Sequence, residues 1–225
     1  MKKTNNTAKA TNTEKTVNKT ELVFILDESG SMASLRSDTI GGFNTMLDKQ
    51  RGTGGEAFVT TVMFSDTSKV VHDRKPLSEV ADLTADDYAP MGCTALYDAV
   101  GETVKHISGI HKYARKEDVP DKTLFVITTD GMENASRKYN AAEVKKLIEA
   151  KQEEGWEFIF LGANIDAAAA AADIGICEDK AVNYKASSKG TAMLFRAVGA
   201  AVSMNRRSKA MTCEWREELD AENKA

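Results

Sequence analysis

The sequence has 225 residues, of which 42% are hydrophobic and 28% charged. This is enough for one substantial domain with a well-buried core, but short for two. The 30 basic and 34 acidic residues give a formal net charge of -4, so no overall positive field draws the protein to nucleic acid or to an anionic membrane. We therefore expect neither nucleic acid nor a membrane among its partners.

Three features of the sequence bear on its cellular compartment. No apolar run reaches the roughly 18 residues of a membrane span, and the basic N-terminus is not followed by the apolar region of a signal peptide. The cysteines are odd in number and widely spaced, which fits neither a disulfide framework nor a zinc-type pair. We expect a cytoplasmic protein with three free thiols, at Cys93, Cys177 and Cys213.

The composition divides the chain into three parts. Residues 1–19 are mostly Thr, Asn and Lys, and such a segment cannot bury enough apolar surface to offset the entropy lost on ordering. We predict a flexible N-terminal tail over 1–19, a folded domain over 20–207, and a charged C-terminal tail or helix extension over 208–225.

The first half of the folded region alternates between strand-like and helix-like patterns. LVFIL is a short continuous apolar run typical of a buried strand, and the segment after it carries apolar residues near helical spacing. A glycine-rich break then precedes two strand-like runs joined at 65–68, which predict a hairpin and therefore an antiparallel edge. The predicted elements are a strand at 22–26, a helix at 35–50, strands at 57–65 and 69–73, and a helix at 95–107.

The second half continues the alternation. Its elements are a strand at 122–129, a helix at 141–154, a strand at 156–163, an alanine-rich helix at 166–175, a strand at 181–184 and a helix at 191–204. Near-continuous apolar strands, each followed by a helix, are typical of a parallel sheet covered on both faces. The predicted fold class is therefore α/β, doubly wound.

Polar residues follow two of the buried strands at the point where each ends. DESGS begins with Asp27 after the first strand, and TTDGMEN delivers Asp130 after a later one. A third polar stretch, MGCTALYDA, places Thr94 just before a helix. In open α/β sheets, ligands bind outside the carboxyl ends of the strands. We therefore expect these three loops to meet in one site.

The side chains of these loops predict which ligand they bind. Two carboxylates and several hydroxyls form an oxygen-rich set, which suits Mg²⁺ or Mn²⁺ rather than zinc. In an Asp-x-Ser-x-Ser turn, alternate side chains can point the same way, so Asp27, Ser29 and Ser31 can converge while Gly30 permits a tight turn. The remaining coordination positions would be filled by water or by a carboxylate from outside the chain.

Simpler structural roles exist for the same residues. Asp27, Ser29 and Ser31 could cap the following helix, and Thr94 could cap the helix after it. The three-loop arrangement favours the metal site over these capping roles. Three nearby acids are expected to have no direct part: Glu28 and Glu133 as solvent-facing neighbours, and Asp98 as a partly exposed helix residue.

The sequence Asp27-Glu28-Ser29-Gly30-Ser31, followed by Thr94 and by Asp130-Gly131, resembles the metal-ion-dependent adhesion site of the von Willebrand factor type A (VWA) domain family. GMENAS and FLGAN resemble stand-alone cytosolic members from bacteria or phage. The resemblance implies a mainly parallel sheet of about six strands with one antiparallel edge strand. It also implies a Mg²⁺ or Mn²⁺ ion held by Asp27, Ser29, Ser31, Thr94 and Asp130, some through water.

The resemblance further implies a binding protein rather than an enzyme. In the family, a Glu or Asp of a partner protein often completes the coordination of the metal, and some bacterial members work beside ring-shaped ATPases. Two alternatives remain open: a Mg²⁺-dependent phosphatase-like hydrolase, and a scaffold whose metal site has lost its use. Against the hydrolase, the second Asp expected two residues after Asp27 is replaced by Ser29, and no nucleophile-elbow or phosphate-loop motif follows the first strand.

Overall fold

The structure is a computed structural model that describes residues 18–207 and 211–224. The predicted N-terminal tail lies outside the described residues, apart from its last two. Lys19 is already the first residue of the first strand, so the folded domain begins one residue earlier than predicted.

In the part of the chain that the structure describes, six strands form a single sheet in the order β3-β2-β1-β4-β5-β6. Their bounds are β1 Lys19–Asp27, β2 Glu56–Phe64, β3 Ser68–Pro76, β4 Lys122–Thr129, β5 Glu157–Gly162 and β6 Ala181–Asn183. The edge strand β3 pairs with β2 in antiparallel orientation, and every other pairing is parallel. The predicted doubly wound sheet with one antiparallel edge is confirmed.

Among the described residues, six α-helices lie around the sheet, and each predicted helix is present. Their bounds are α1 Arg36–Arg51, α2 Leu96–Tyr113, α3 Ala141–Glu153, α4 Ala167–Asp173, α5 Ser188–Arg206 and α6 Glu217–Lys224. Helix α5 begins three residues before its predicted start because the Ser187 side chain caps it by accepting from Gly190 N. No helix in the described ranges is both long and apolar enough to cross a membrane.

The central strands are apolar on both faces because each face packs against helices. Phe24 and Leu26 of β1 belong to a core cluster with residues of α1 and α5, whereas Val23 and Ile25 pack into a second cluster with residues of α2 and α3. All four side chains are at most 1% exposed. This double burial explains why the strand reads as a continuous apolar run rather than an alternating one.

Strand β1 is the point at which the order of strands in the sheet reverses. From β1 the sheet extends through β2 and β3 on one side and through β4, β5 and β6 on the other. The carboxyl ends of β1 and β4 are therefore neighbours at the point where the order reverses. Doubly wound folds bind their ligands at such a point.

The C-terminal residues 211–224 belong to the folded unit, although the predicted domain ended at residue 207. Trp215 is 3% and Leu219 1% exposed, and both lie in the same core cluster as α1 and α5. The Asn223 side chain also donates to the carbonyl oxygen of Asn183, the last residue of edge strand β6. The few apolar residues of this segment lie among many charged ones and give no clear periodic signal, which is why the sequence suggested a charged tail or a helix extension.

Replacing Leu219 with Ala should lower the free energy of unfolding by about 2–5 kcal/mol, because it leaves a cavity in a fully buried position. Urea unfolding measures the change. The matched control is Glu217→Ala, on an exposed position of the same helix, which should change the free energy by less than about 0.5 kcal/mol. Equal stability of the two variants would contradict the packing of α6 on the core.

Candidate metal centre

The carboxylate of Asp27, at the end of β1, is held by three donors. Its Oδ1 accepts from Ser29 N at 2.7 Å, and its Oδ2 accepts from Thr129 Oγ1 at 2.6 Å and from Asp130 N at 3.3 Å. The residue is 1% exposed. The Tyr88 hydroxyl also donates to its backbone carbonyl oxygen at 2.6 Å. Asp27 is therefore fixed by both neighbouring loops and has little freedom to reorient.

The hydroxyls of the DESGS loop connect Asp27 to Asp130. Ser29 Oγ and Ser31 Oγ lie 3.0 Å apart, and Ser31 Oγ donates to Asp130 Oδ1 at 2.5 Å. Asp27, Ser29 and Asp130 are buried, whereas Ser31 is exposed. The two hydroxyls and the Asp130 carboxylate form a hydrogen-bonded chain that reaches the surface at Ser31, and the Ser29 backbone N–H joins this chain to Asp27.

The two carboxylates influence each other electrostatically. Burial raises the pKa of Asp130 above its usual value, and the negative charge of Asp27 raises it further, while the hydrogen bond from Ser31 acts in the opposite direction. A cation bound between Asp27 and Asp130 would relieve both unfavourable effects.

Thr94 reaches the same place from a third loop. Its backbone N–H donates to Asn134 Oδ1 at 2.9 Å, and Asn134 N donates in return to the Thr94 carbonyl oxygen at 3.0 Å. A Cβ at Gly131 would lie 3.5 Å from Thr94 Oγ1, so this hydroxyl lies against the residue that follows Asp130. The structure thus brings all five predicted residues to the carboxyl end of β1 and β4.

No side-chain capping hydrogen bond supports the alternative roles of Ser29 and Thr94. Ser29 precedes a short 3₁₀ helix, Gly30–Leu35, but makes no side-chain capping bond to it. Helix α2 is preceded by Ala95 rather than by Thr94, again without a side-chain cap. Gly30 does not need the conformational freedom expected of it, since the positive-φ glycine of these loops is Gly92.

Glu28 and Glu133 were expected to face solvent, and this is wrong for both. Glu28 is 7% exposed and accepts from Lys69 Nζ at 3.4 Å and from Ala89 N. Glu133 is half-buried. Each carboxylate accepts a backbone N–H from a segment distant in the sequence, Ala89 for Glu28 and Tyr97 for Glu133, and a local reading of the sequence does not reveal such donors.

The Glu133 carboxylate organises its own loop and joins it to helix α2. Its Oε1 accepts from the backbone N–H groups of Ala135 and Ser136 at 2.9 and 2.7 Å. Its Oε2 accepts from Tyr97 N at 2.9 Å and from Ser136 Oγ at 2.7 Å. A carboxylate at the first turn of α2 also suits the positive end of the helix dipole.

Asp98 was expected to be partly exposed, but it is only 8% exposed. Its carboxylate accepts three backbone N–H groups, from Arg137 at 2.9 Å, Lys138 at 2.8 Å and Tyr139 at 2.9 Å. Burial alone would raise the pKa of Asp98, but these donors outweigh it and lower the pKa below its usual value. Asp98 and Glu133 together fix the loop that follows Asp130.

The set of atoms at the site fits a hard divalent cation. Asp27 and Asp130 provide two carboxylates, and the hydroxyls of Ser29, Ser31 and Thr94 add neutral oxygens, which are the donors that Mg²⁺ and Mn²⁺ prefer. Within the described ranges, no group of three or more His, Cys, Asp or Glu side chains could hold a metal, and this site combines only two carboxylates with hydroxyls. The three cysteines are free and exposed, as predicted.

Comparison with protein families gives a match over residues 1–169, well over half of the chain, to the family described as VWA domain containing CoxE-like protein. The chain belongs to this family. No curated protein matches this VWA protein significantly.

Solved structures share the fold of the VWA protein. Proximal thread matrix protein 1 of the mussel byssus, in a structure described as having a zinc occupied MIDAS motif, is 15% identical, with a TM-score of 0.57 over 84% of this chain and 46% of that one. The von Willebrand factor type A protein of Catenulispora acidiphila is 17% identical, with a TM-score of 0.54 over 83% and 43%. The vWF domain of the pilus tip protein Mfa5 of Porphyromonas gingivalis is 10% identical, with a TM-score of 0.57 over 84% and 96%. At such identities the likeness establishes the fold alone.

Replacing Asp98 with Asn should lower the free energy of unfolding by about 1–3 kcal/mol near pH 7. The substitution replaces one of the two carboxylate oxygens, which together accept from three backbone N–H groups, with an amide NH₂ group that cannot accept. The pKa of Asp98 is lowered in the folded protein, so its carboxylate stabilises above the ordinary Asp pKa of about 4 and loses this effect as pH falls through the folded value. The difference between native protein and variant should therefore stay constant from pH 7 to 5 and shrink below about pH 4.

Denaturant unfolding across this pH range measures the effect of Asp98. Glu102→Gln is the control, since Glu102 lies on the same helix and pairs with Lys138 at the surface, where an ion pair contributes at most about 1 kcal/mol. A destabilisation by Asp98→Asn that persists unchanged at pH 2 would contradict the charge-based explanation.

Proposed function

We propose that this VWA domain is a protein-binding module that depends on a divalent cation. The observation that carries the proposal is the meeting of two buried carboxylates from β1 and β4 with hydroxyls from the same and a third loop. Asp27 and Asp130 are brought together at the cost of an unfavourable electrostatic interaction. Such a cost is typical of functional sites rather than of structural ones.

In this proposal Asp27, Ser29, Ser31, Thr94 and Asp130 hold Mg²⁺ or Mn²⁺, some of them through water. The two carboxylates balance the charge of a divalent ion, and the hydroxyls add none. When bound, the ion supplies a positive centre with a coordination position open to one more oxygen ligand. The zinc-occupied motif of the mussel protein supports occupancy of such a site by a divalent metal, and we propose Mg²⁺ or Mn²⁺ here because every donor is oxygen.

The natural occupant of the open position is a Glu or Asp side chain of a partner protein. Ser31 is the exposed member of the set, so the partner would approach from its side. A ring-shaped ATPase is one class of partner that we propose.

The hydrolase alternative lacks support among the described residues, because the Ser29 hydroxyl, where a second acid would be needed, pairs with Ser31.

Calorimetric titration of the protein with Mg²⁺ or Mn²⁺ should give saturable binding of one ion per chain. Asp130→Asn should abolish it, since one of two charged ligands is lost, and Thr94→Ala should weaken it. The control is Asp86→Asn, an exposed Asp that is not a proposed ligand, which should bind as the native protein does. An ion concentration of a hundred times the Kd should add about 2.7 kcal/mol to the free energy of unfolding.

Two results of the titration would contradict the metal centre. One is the absence of saturable binding by the folded native protein, which would favour a scaffold with a disused site. The other is unchanged affinity in Asp130→Asn, which would place any bound ion elsewhere.

Partner capture on the immobilised protein tests the second half of the proposal. Proteins retained in Mg²⁺ should be released by chelator and should be absent from a column of Asp130→Asn protein, while Asp86→Asn should retain them. Chelator should release the partner because its Glu or Asp side chain binds the protein only through the ion. Equal retention in chelator would mean that partners use another surface.

A further inference from the structure

We propose that Met91 and Met132 form an apolar rim on two sides of the candidate metal centre, and that the partner segment carries apolar side chains next to its metal-binding Glu or Asp. The inference rests on the proposed function and specifies the chemistry of the partner. We refer to these two side chains as the methionine rim.

The exposure of large apolar side chains is concentrated near the centre. Within the described residues, four such side chains are exposed: Val70 at 51%, Met91 at 67%, Tyr113 at 83% and Met132 at 75%. The two methionines lie on the loops that carry Thr94 and Asp130, whereas Tyr113 lies at the opposite end of α2, about 27 Å along an 18-residue helix. Exposed apolar side chains grouped at a functional site are typical of an interaction surface.

The loop that carries Met91 is held by hydrogen bonds at each of four successive residues. Met91 N donates to the Glu28 carbonyl oxygen at 2.9 Å, and the Gly92 carbonyl oxygen accepts from Gly30 N at 3.1 Å. Cys93 N donates to Asp66 Oδ1 at 3.1 Å, and Thr94 is held through Asn134. The exposure of Met91 is thus imposed by a fixed backbone and is not the result of a loose loop.

The backbone conformation of this loop depends on Gly92. It has a φ of +76°, and a Cβ there would come within 2.1 Å of the Asp66 carboxylate. Only glycine combines that backbone conformation with that close approach. The loop geometry therefore directs Met91 outward beside the DESGS loop.

The loop that carries Met132 is equally constrained. Gly131 N donates to Thr129 Oγ1 at 3.3 Å, and the two residues after Met132 are bound through Glu133 and through the Asn134 N–H to the Thr94 carbonyl oxygen. Met132 follows Gly131, which lies against Thr94. The backbone that carries the methionine rim is therefore in place before any partner binds, so association does not have to order these two loops.

The chemistry of the rim defines the partner. Methionine side chains are apolar, unbranched and adaptable, so they contact apolar partners of varied shape and gain nothing from charged ones. The metal centre attracts a carboxylate. Together they fit a segment in which Glu or Asp is flanked by Leu, Ile, Phe or Met, because the carboxylate reaches the ion while its neighbours cover the methionines.

A displayed library of seven-residue peptides with Glu or Asp fixed at the centre and all residues allowed elsewhere tests this. Selection on the Mg²⁺-loaded protein should enrich apolar residues beside the central acid, and chelator should release the selected peptides. Each of Met91→Ser and Met132→Ser should weaken a selected peptide by about fivefold or more, from the lost burial of apolar surface.

Tyr113→Ser is the matched control, since it removes a still more exposed apolar side chain far from the centre, and it should leave peptide affinity unchanged. Calorimetry with Mg²⁺ should give the same ion affinity for the native protein and all three variants, because none of these residues is a proposed ligand. Circular dichroism verifies that the variants fold.

The possible outcomes separate this inference from the proposed function. Metal-dependent enrichment without apolar preference, or unchanged affinity in both methionine variants, would overturn the methionine rim and leave the metal-dependent module standing. Absence of any metal-dependent enrichment would overturn both. Apolar enrichment that persists in chelator would overturn the joint surface proposed here, because the methionines would then act without the ion.

Discussion

The hydrogen bonds that converge on the Asp27 carboxylate are the constraint on which the site depends. Burying a carboxylate is costly unless donors surround it, and here they come from its own loop and from the end of β4. They can do so only because β1 and β4 are neighbours and in register, with Leu26 paired to Thr128. The geometry of the site therefore requires this strand order in the sheet.

The acidic residues around Asp27 are of two kinds: one is electrostatically unfavourable, and the others stabilise the surrounding loops. Burial raises the pKa of Asp130 and the nearby negative charge of Asp27 raises it further, an arrangement that a bound cation would favour. Asp98 and Glu133, by contrast, have no direct part in the proposed ion site and accept backbone N–H groups that fix the surrounding loops. Outer groups of this kind hold the inner donors in a geometry that they would not keep by themselves.

Much of the fold was predictable because its signals are local. The continuous apolar runs of β1 and β4 require burial on both faces, and the observed strand Lys122–Thr129 has the predicted bounds. The C-terminal region was missed, since the burial of Trp215 and Leu219 depends on a surface built by α1 and α5. The candidate site was predictable in composition because its five residues follow strands or precede a helix at fixed positions of the chain.

The sequence by itself determined the succession of strands and helices along the chain and the mainly parallel sheet, since both follow from apolar periodicity. It also determined which oxygen-rich residues lie at the carboxyl ends of the strands, since these residues directly follow the apolar runs. Only the tertiary structure decided which groups meet. Ser31 donates to an Asp that lies 99 positions away along the chain. Glu28 and Asp98 are buried against backbone donors of other loops, and Glu133 binds a backbone donor of helix α2. Local pattern carries no record of such donors, because backbone N–H groups are the same at nearly every residue and only folding brings particular ones to a carboxylate.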